Sequence, residues 1–148
     1  MLNYSRTDVL HIAVLGAVYF LAAKLGLALA PVFGTVTLFW PPSGIALAAL
    51  LIFGWRLFPA IAIGEFLASL GMGLPLSSVA GISCGNALEG LLGYYLLRQC
   101  SGFGDGLKTL RDVGLLFVFG ALLSPLVAAV NGAWWVKYAV GGSWGDYL

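Results

Sequence analysis

Glu65 and Glu89 are the only glutamates in this chain, and each is set in a long apolar run at the same distance from an arginine. Glu65 follows Arg56 by nine residues and Glu89 precedes Arg98 by nine. On helices rising 1.5 Å per residue, that places each carboxyl about 13–14 Å from its arginine. If both arginines mark one boundary, the two acids share one depth. A carboxyl pair in such surroundings is a protonatable or ligand-binding site, or a pair of hydrogen-bonded acids holding helices in register. The residues alone leave both readings open. Asn86 lies one turn before Glu89 on the same side, Asn131 lies in the last apolar run, and Lys24 lies in the first. Both asparagines suit interhelical hydrogen bonds. Lys24 either snorkels outward or reaches inward to an acid.

Other chemistry is thin. His11 is the only histidine, no Cys/His spacing suits a metal, and no nucleophile stands beside a base, so the chain reads as non-enzymatic, without metal or cofactor. Cys84 and Cys100, 16 residues apart on one expected helix, are about 24 Å apart and too distant for a disulfide. "GFGDG" reads as a flexible turn; no Lys-Ser/Thr follows it, as a phosphate loop requires. Asn3-Tyr4-Ser5 fits a glycosylation acceptor, a pattern short enough to arise by chance.

The elements that must position the acids are membrane helices. Of 148 residues, 61% are hydrophobic and 9% charged, against about 25% charged in a soluble domain. There is too little polar surface to coat a globule in water. The net charge of +1 carries no basic patch, which excludes a nucleic-acid partner. The expected fold is an all-α integral membrane protein, a bundle of about five transmembrane helices. The spans are roughly Val9–Ala30, Pro42 to Phe53 or Trp55, Leu57–Gly73, Pro75–Leu97 and Val113–Tyr138. The first, with Lys24 inside it and Pro31 behind it, is too long for a signal-peptide core and reads as uncleaved. The second is short and begins at Trp40-Pro41-Pro42-Ser43-Gly44. Proline is tolerated in the first turn of a helix, so this stretch starts a helix, with Ser43 near its free amides and with Phe39 and Trp40 at the headgroups.

That second segment either crosses by running on through Gly54 and Trp55 or is re-entrant. With five crossings and a cytoplasmic N-terminus, Arg6, Arg56, Arg98, Lys108 and Arg111 all lie inside. The outer loops Pro31–Pro41 and Gly71–Pro75 then carry no charge, and only Lys137 is basic at the outer end. The best re-entrant layout misplaces Arg6 alone, so five crossings are favoured by one residue. Gly81, Gly85 and Gly93 share a helical stripe with Glu89, and Gly64, Ala68 and Gly71 lie near Glu65; such stripes let backbones approach closely. Trp40, Trp134, Trp135, Tyr138, Trp144 and Tyr147, at the outer end, could cage a cationic ligand, but an interfacial belt explains them at no extra cost; His11 is interfacial at the other end. Pro125 should kink the last span, with Ser124 at hand for the freed carbonyl.

Three stretches, "LFWPPSGIALAALLIFGWRLFPAIAIGEFLASL", "GISCGNALEGLLGYYLLR" and "LRDVGLLFVFGALLSPLVAAVNGAWW", resemble the membrane-associated sensor domain of the first type (MASE). The likeness runs from about Val9 onward. Its signature falls on Trp40, Pro41, Pro42, Gly44, Gly54, Arg56, Pro59 and Gly64, then on Gly85, Asn86 and Glu89; Glu65 is not a required acid in the family. The resemblance implies a bacterial inner-membrane module placed ahead of histidine kinase (two-component) or diguanylate cyclase (cyclic di-GMP) output domains. The family's membrane unit continues for several more spans, so residues 1–148 are expected to be its N-terminal part, without the remaining spans or an output domain.

The expected function is therefore a sensory input module that transmits an unidentified stimulus by helix repacking. Its expected partners are the lipid bilayer, a small ligand or ion, and a second copy in a homo-oligomer. The alternatives are a transporter or half-transporter with mid-membrane carboxylates, and a structural anchor assembled through the glycine stripes.

Overall fold

The computed structural model describes residues 4–29, 40–100, 103 and 107–141. Asn3, most of the Pro31–Pro41 connection, the Gly-rich turn apart from Phe103, and Trp144 and Tyr147 lie outside the described residues.

All regular structure among the described residues is helical. Helix α1 (Arg6–Ala28) starts at a capping box: Asp8 N–H donates to Ser5 Oγ at 3.1 Å, and Ser5 N–H donates to the Asp8 carboxylate at 2.9 Å. Helix α2 (Pro41–Phe53) carries its two prolines in the first turn, where their missing amides cost nothing. No side chain caps it, so Ser43 does not have the capping role expected of it. A 3-10 turn (Trp55–Leu57) leads into α3 (Phe58–Ser69), whose first turn holds Pro59. A second 3-10 turn (Leu70–Met72) and Gly73 lead into α4 (Leu76–Gln99). The final helix opens at a second capping box, between Thr109 and Asp112. It comprises α5 (Leu110–Leu115), a π segment (Leu116–Leu123) and α6 (Ser124–Val140).

Two junctions correct or refine the expectations. Helix α2 does not run on through Gly54. It stops at Phe53, and Gly54 takes φ +95° and ψ 162°, a conformation nearly confined to glycine. Nor does α2 double back. Its first turn lies beside Gly26 near the end of α1, through Trp40 and Pro41. Its last residue, Phe53, faces His11 near the start of α1, with ring centroids 4.9 Å apart. At 13 residues it is about 20 Å long and reaches from one end of the bundle to the other.

The second junction is at Pro125, where the break in α register takes the form of the π segment. The Ser124 amide donates to Phe119 O, five residues back. In that register the amide of residue 125 would serve Gly120 O, but proline has none. Ser124 Oγ donates to Gly120 O instead, at 3.1 Å, so the freed carbonyl is satisfied within its own helix.

Glycines fix the packing. Along α1 and α3, a Cβ on Gly64 would stand 2.8 Å from Gly16 O and 3.1 Å from Tyr19 Cδ1. Along α4 and α6, Trp135 lies over Gly81, Asn131 lies over Gly85, and Ser124 sits beside Gly93. Leu50 and Ile61 meet at Gly90. The core that results is built from Leu15, Tyr19, Ala23, Leu50, Ala60 and Ile61 among others.

The outer surface is apolar. Ile52 is 72% exposed and Leu76 64%, and Leu10, Leu21, Leu88 and Val130 are also exposed, far more than a water-facing surface carries. By length and apolarity two helices are fit to cross a membrane, Arg6–Ala28 and Leu110–Val140; Pro41–Phe53 is apolar but shorter.

Candidate functional site

The two glutamates meet inside the bundle. Glu65 is the eighth residue of α3 and is 2% exposed, its place set by the Gly64 approach to α1. Glu89, 4% exposed, projects from the middle of α4. They lie within electrostatic range of each other, and the buried Tyr19 of α1 lies within range of both. Ser69, one turn after Glu65, donates its hydroxyl to Glu65 Oε1 at 2.7 Å. Glu65 Oε2 is fully buried and accepts no hydrogen bond, and the Tyr19 phenol is the polar group beside this carboxyl. An unsatisfied buried oxygen costs roughly 1–3 kcal/mol. The Ser43 hydroxyl of α2 is the neighbour of Glu89. Four helices thus each bring an oxygen-bearing side chain to the neighbourhood of the pair.

The remaining candidates are dispersed. Lys24 pairs with neither acid: its ammonium donates to Ala68 O near the end of α3 at 2.8 Å and lies 5.8 Å from the Phe20 ring centroid. A cation there complements the negative end of a helix. Asn131 donates to Gly81 O across the α4–α6 seam at 2.9 Å. Asn86 is half-buried and makes no hydrogen bond among the described residues. Arg98 donates to Leu51 O at 2.8 Å, and the exposed Arg56 accepts a bond from Tyr4 at its carbonyl, so both arginines mark the same end of the bundle.

The signature positions divide by role. Pro41, Pro42 and Pro59 start helices, Gly54 makes a turn, and Gly64 and Gly85 permit close approach. Gly44 is exposed with open space around it. The aromatic belt also divides. Trp134 and Tyr138 are exposed, as a belt requires, whereas Trp40 packs on Gly26 and Trp135 on Gly81, inside the bundle.

A cleft of about 960 Å³ runs beside α2, walled by Leu47, Leu51, Leu116 and Gly120, with Arg98 at one end. Trp40 and Ser43 line it as well. Ser43 therefore borders both the cleft and Glu89. Sequence reasoning missed Tyr19 and Ser69 and gave Ser43 the wrong task. Ser69 was within reach, since it follows Glu65 by four residues. Tyr19 carried no such signal, because nothing in the sequence says which helix faces which. Among the described residues no three His, Cys, Asp or Glu side chains gather where they could hold a metal.

A helical bundle with an apolar exterior and two acids sealed inside it fits a membrane domain. The MASE1 family model matches residues 11–140, and the chain belongs to that family, the membrane-associated sensor domains of the first type. It is thus a membrane sensory input module of signalling proteins. No curated protein and no solved structure matches the chain.

Proposed function

We propose that the module serves a histidine kinase or diguanylate cyclase of the bacterial inner membrane, and that the Glu65–Glu89 pair is where its stimulus acts. All five helices cross the bilayer, with the N-terminus and the end carrying Arg6, Arg56, Arg98, Lys108 and Arg111 in the cytoplasm. One observation carries this reading: a buried carboxyl oxygen without a partner, in the neighbourhood to which α1, α2, α3 and α4 bring side chains. Whatever binds there favours one packing of those helices over another, and differential binding is what shifts a conformational equilibrium. The α4–α6 seam relays the shift to the last helix. A homo-oligomer, formed in the bilayer, completes the reading.

The test is Glu89→Gln in the protein expressed from its full reading frame. Autophosphorylation or cyclic di-GMP level is expected to change at least several-fold, while the amount inserted in the membrane stays the same. Unchanged output with normal insertion would reduce Glu89 to a packing residue. A reporter fused after Arg98 is expected to be active on the cytoplasmic side only. Activity on the periplasmic side would overturn the layout.

A further inference from the structure

We infer that Glu65 and Glu89 together bind a single proton inside the bundle. The inference rests on the stimulus-site reading only for what the proton is used for; the binding itself stands on geometry.

Both carboxyls are sealed, at 2% and 4% exposure, and lie within range of each other. Among the described residues no basic side chain answers them from the elements packed around the pair. Helix α1 presents the Tyr19 phenol, α2 presents Ser43 and Trp40, α3 presents Ser69, and α4 presents only the half-buried Asn86 nearby. The ammonium of Lys24 is engaged at Ala68 O. Two negative charges buried here would repel each other with no basic side chain among the described residues to offset them. One bound proton turns a carboxylate into a carboxylic acid and takes the pair from −2 to −1.

Glu65 Oε2 is the natural carrier. Oε1 already accepts the Ser69 hydroxyl, whereas Oε2 accepts nothing, so a proton on Oε2 displaces no donor and makes it one, with the Tyr19 phenol oxygen beside it as the acceptor. The remaining charge then falls to Glu89, beside the Ser43 hydroxyl and nearer the cleft. An alkali cation would find oxygen donors but little room. The neighbouring helices are in close contact, with Gly64 against Gly16 O and Tyr19, and Gly90 against Ile61 and Leu50. A hard cation held by protein gathers several oxygens around it, six to eight for calcium, whereas a proton occupies no volume.

Glu65 and Glu89 being the only glutamates among residues 1–148, carboxyl-labelled glutamate in that chain reports on them alone without any substitution. The experiment is infrared spectroscopy of the full chain in lipid nanodiscs at neutral pH, unlabelled and [13C-carboxyl]glutamate-labelled, in H2O and D2O. The expected result is one carboxylic-acid C=O band per chain that shifts with label and with deuterium and does not respond to exchanging sodium for choline. No such band, a band worth two acids per chain, or a band that grows only when sodium is withdrawn would each overturn the inference; the last would mean that an alkali cation holds the site. If the band is present but signalling output does not vary with external pH, the proton site stands and its role as the stimulus site falls.

Discussion

Gly64→Val is expected to unfold the bundle from its α1–α3 side. A Cβ at residue 64 would lie 2.8 Å from Gly16 O and 3.1–3.2 Å from the ring and Cβ of Tyr19. The first of these neighbours is backbone and cannot rotate away, so α1 as a whole must retreat. Overpacking of this kind costs up to about 3 kcal/mol, roughly a hundredfold in the ratio of folded to unfolded protein. The retreat also draws Tyr19 away from Glu65 and Glu89. The measurement is an SDS titration in mixed micelles followed by tryptophan fluorescence, with Gly44→Ala alongside. Gly44 is exposed on the cleft side of α2 with no atom within 4 Å of its would-be Cβ, and its substitution is expected to stay within about 0.5 kcal/mol of the parent. Equal stability for the two variants would mean that the helices do not approach closely at Gly64.

The same contrast shows what the sequence can and cannot convey. The two prolines of α2, the glycine stripe of α4 and the nine-residue spacing of the acids from their arginines are local patterns. The first two translated directly into observed elements, a helix start and a seam; the third corresponds to two acids that are both buried and within electrostatic range of each other. Helix number and order followed from apolar runs between charges, because a run of that length has few other ways to satisfy its backbone in lipid. The ends of elements were less legible. Helix α2 stops at Gly54 because that residue takes a positive φ, and nothing in "LIFGWRLF" distinguishes such a glycine from one that a helix passes through.

The site itself was half legible. Two acids at one depth can be counted from the chain, but their neighbours depend on how the helices are rotated about their axes. Periodicity says little about that when nearly every face is apolar. Hence Tyr19 went unnoticed in the middle of α1, Lys24 had two outcomes of equal standing, and Trp40 was sent to the headgroups although Gly26 makes a seat for it. The π segment was legible in part. Pro125 announces a missing amide, but which carbonyl loses its donor depends on register, and register is a property of the packed helix.

Gly85→Val is expected to damage the α4–α6 seam about as severely as Gly64→Val damages the other, again by about 3 kcal/mol, but for a reason that can be separated by a second substitution. What a Cβ at residue 85 meets is the side-chain amide of Asn131, not backbone, and that amide is held in place by its bond to Gly81 O at 2.9 Å. Moving it therefore breaks an interhelical hydrogen bond, worth about 0.6 and at most about 2 kcal/mol in a membrane protein. Asn131→Ala alone is expected to cost about 1 kcal/mol, the bond and a little packing. In the double variant the valine finds the space that the amide left, so the two losses should fall short of their sum by 1 kcal/mol or more, a coupling typical of residues in direct contact. Strict additivity in the same SDS titration would place Asn131 away from Gly85 and remove the seam as the relay between the acid pair and the last helix. With the coupling present, Gly85→Val in the protein from its full reading frame should also uncouple output from the state of Glu89. Glu89 and Gly85 lie one turn apart on the same helix, so a shift of α4 on α6 cannot move one without the other.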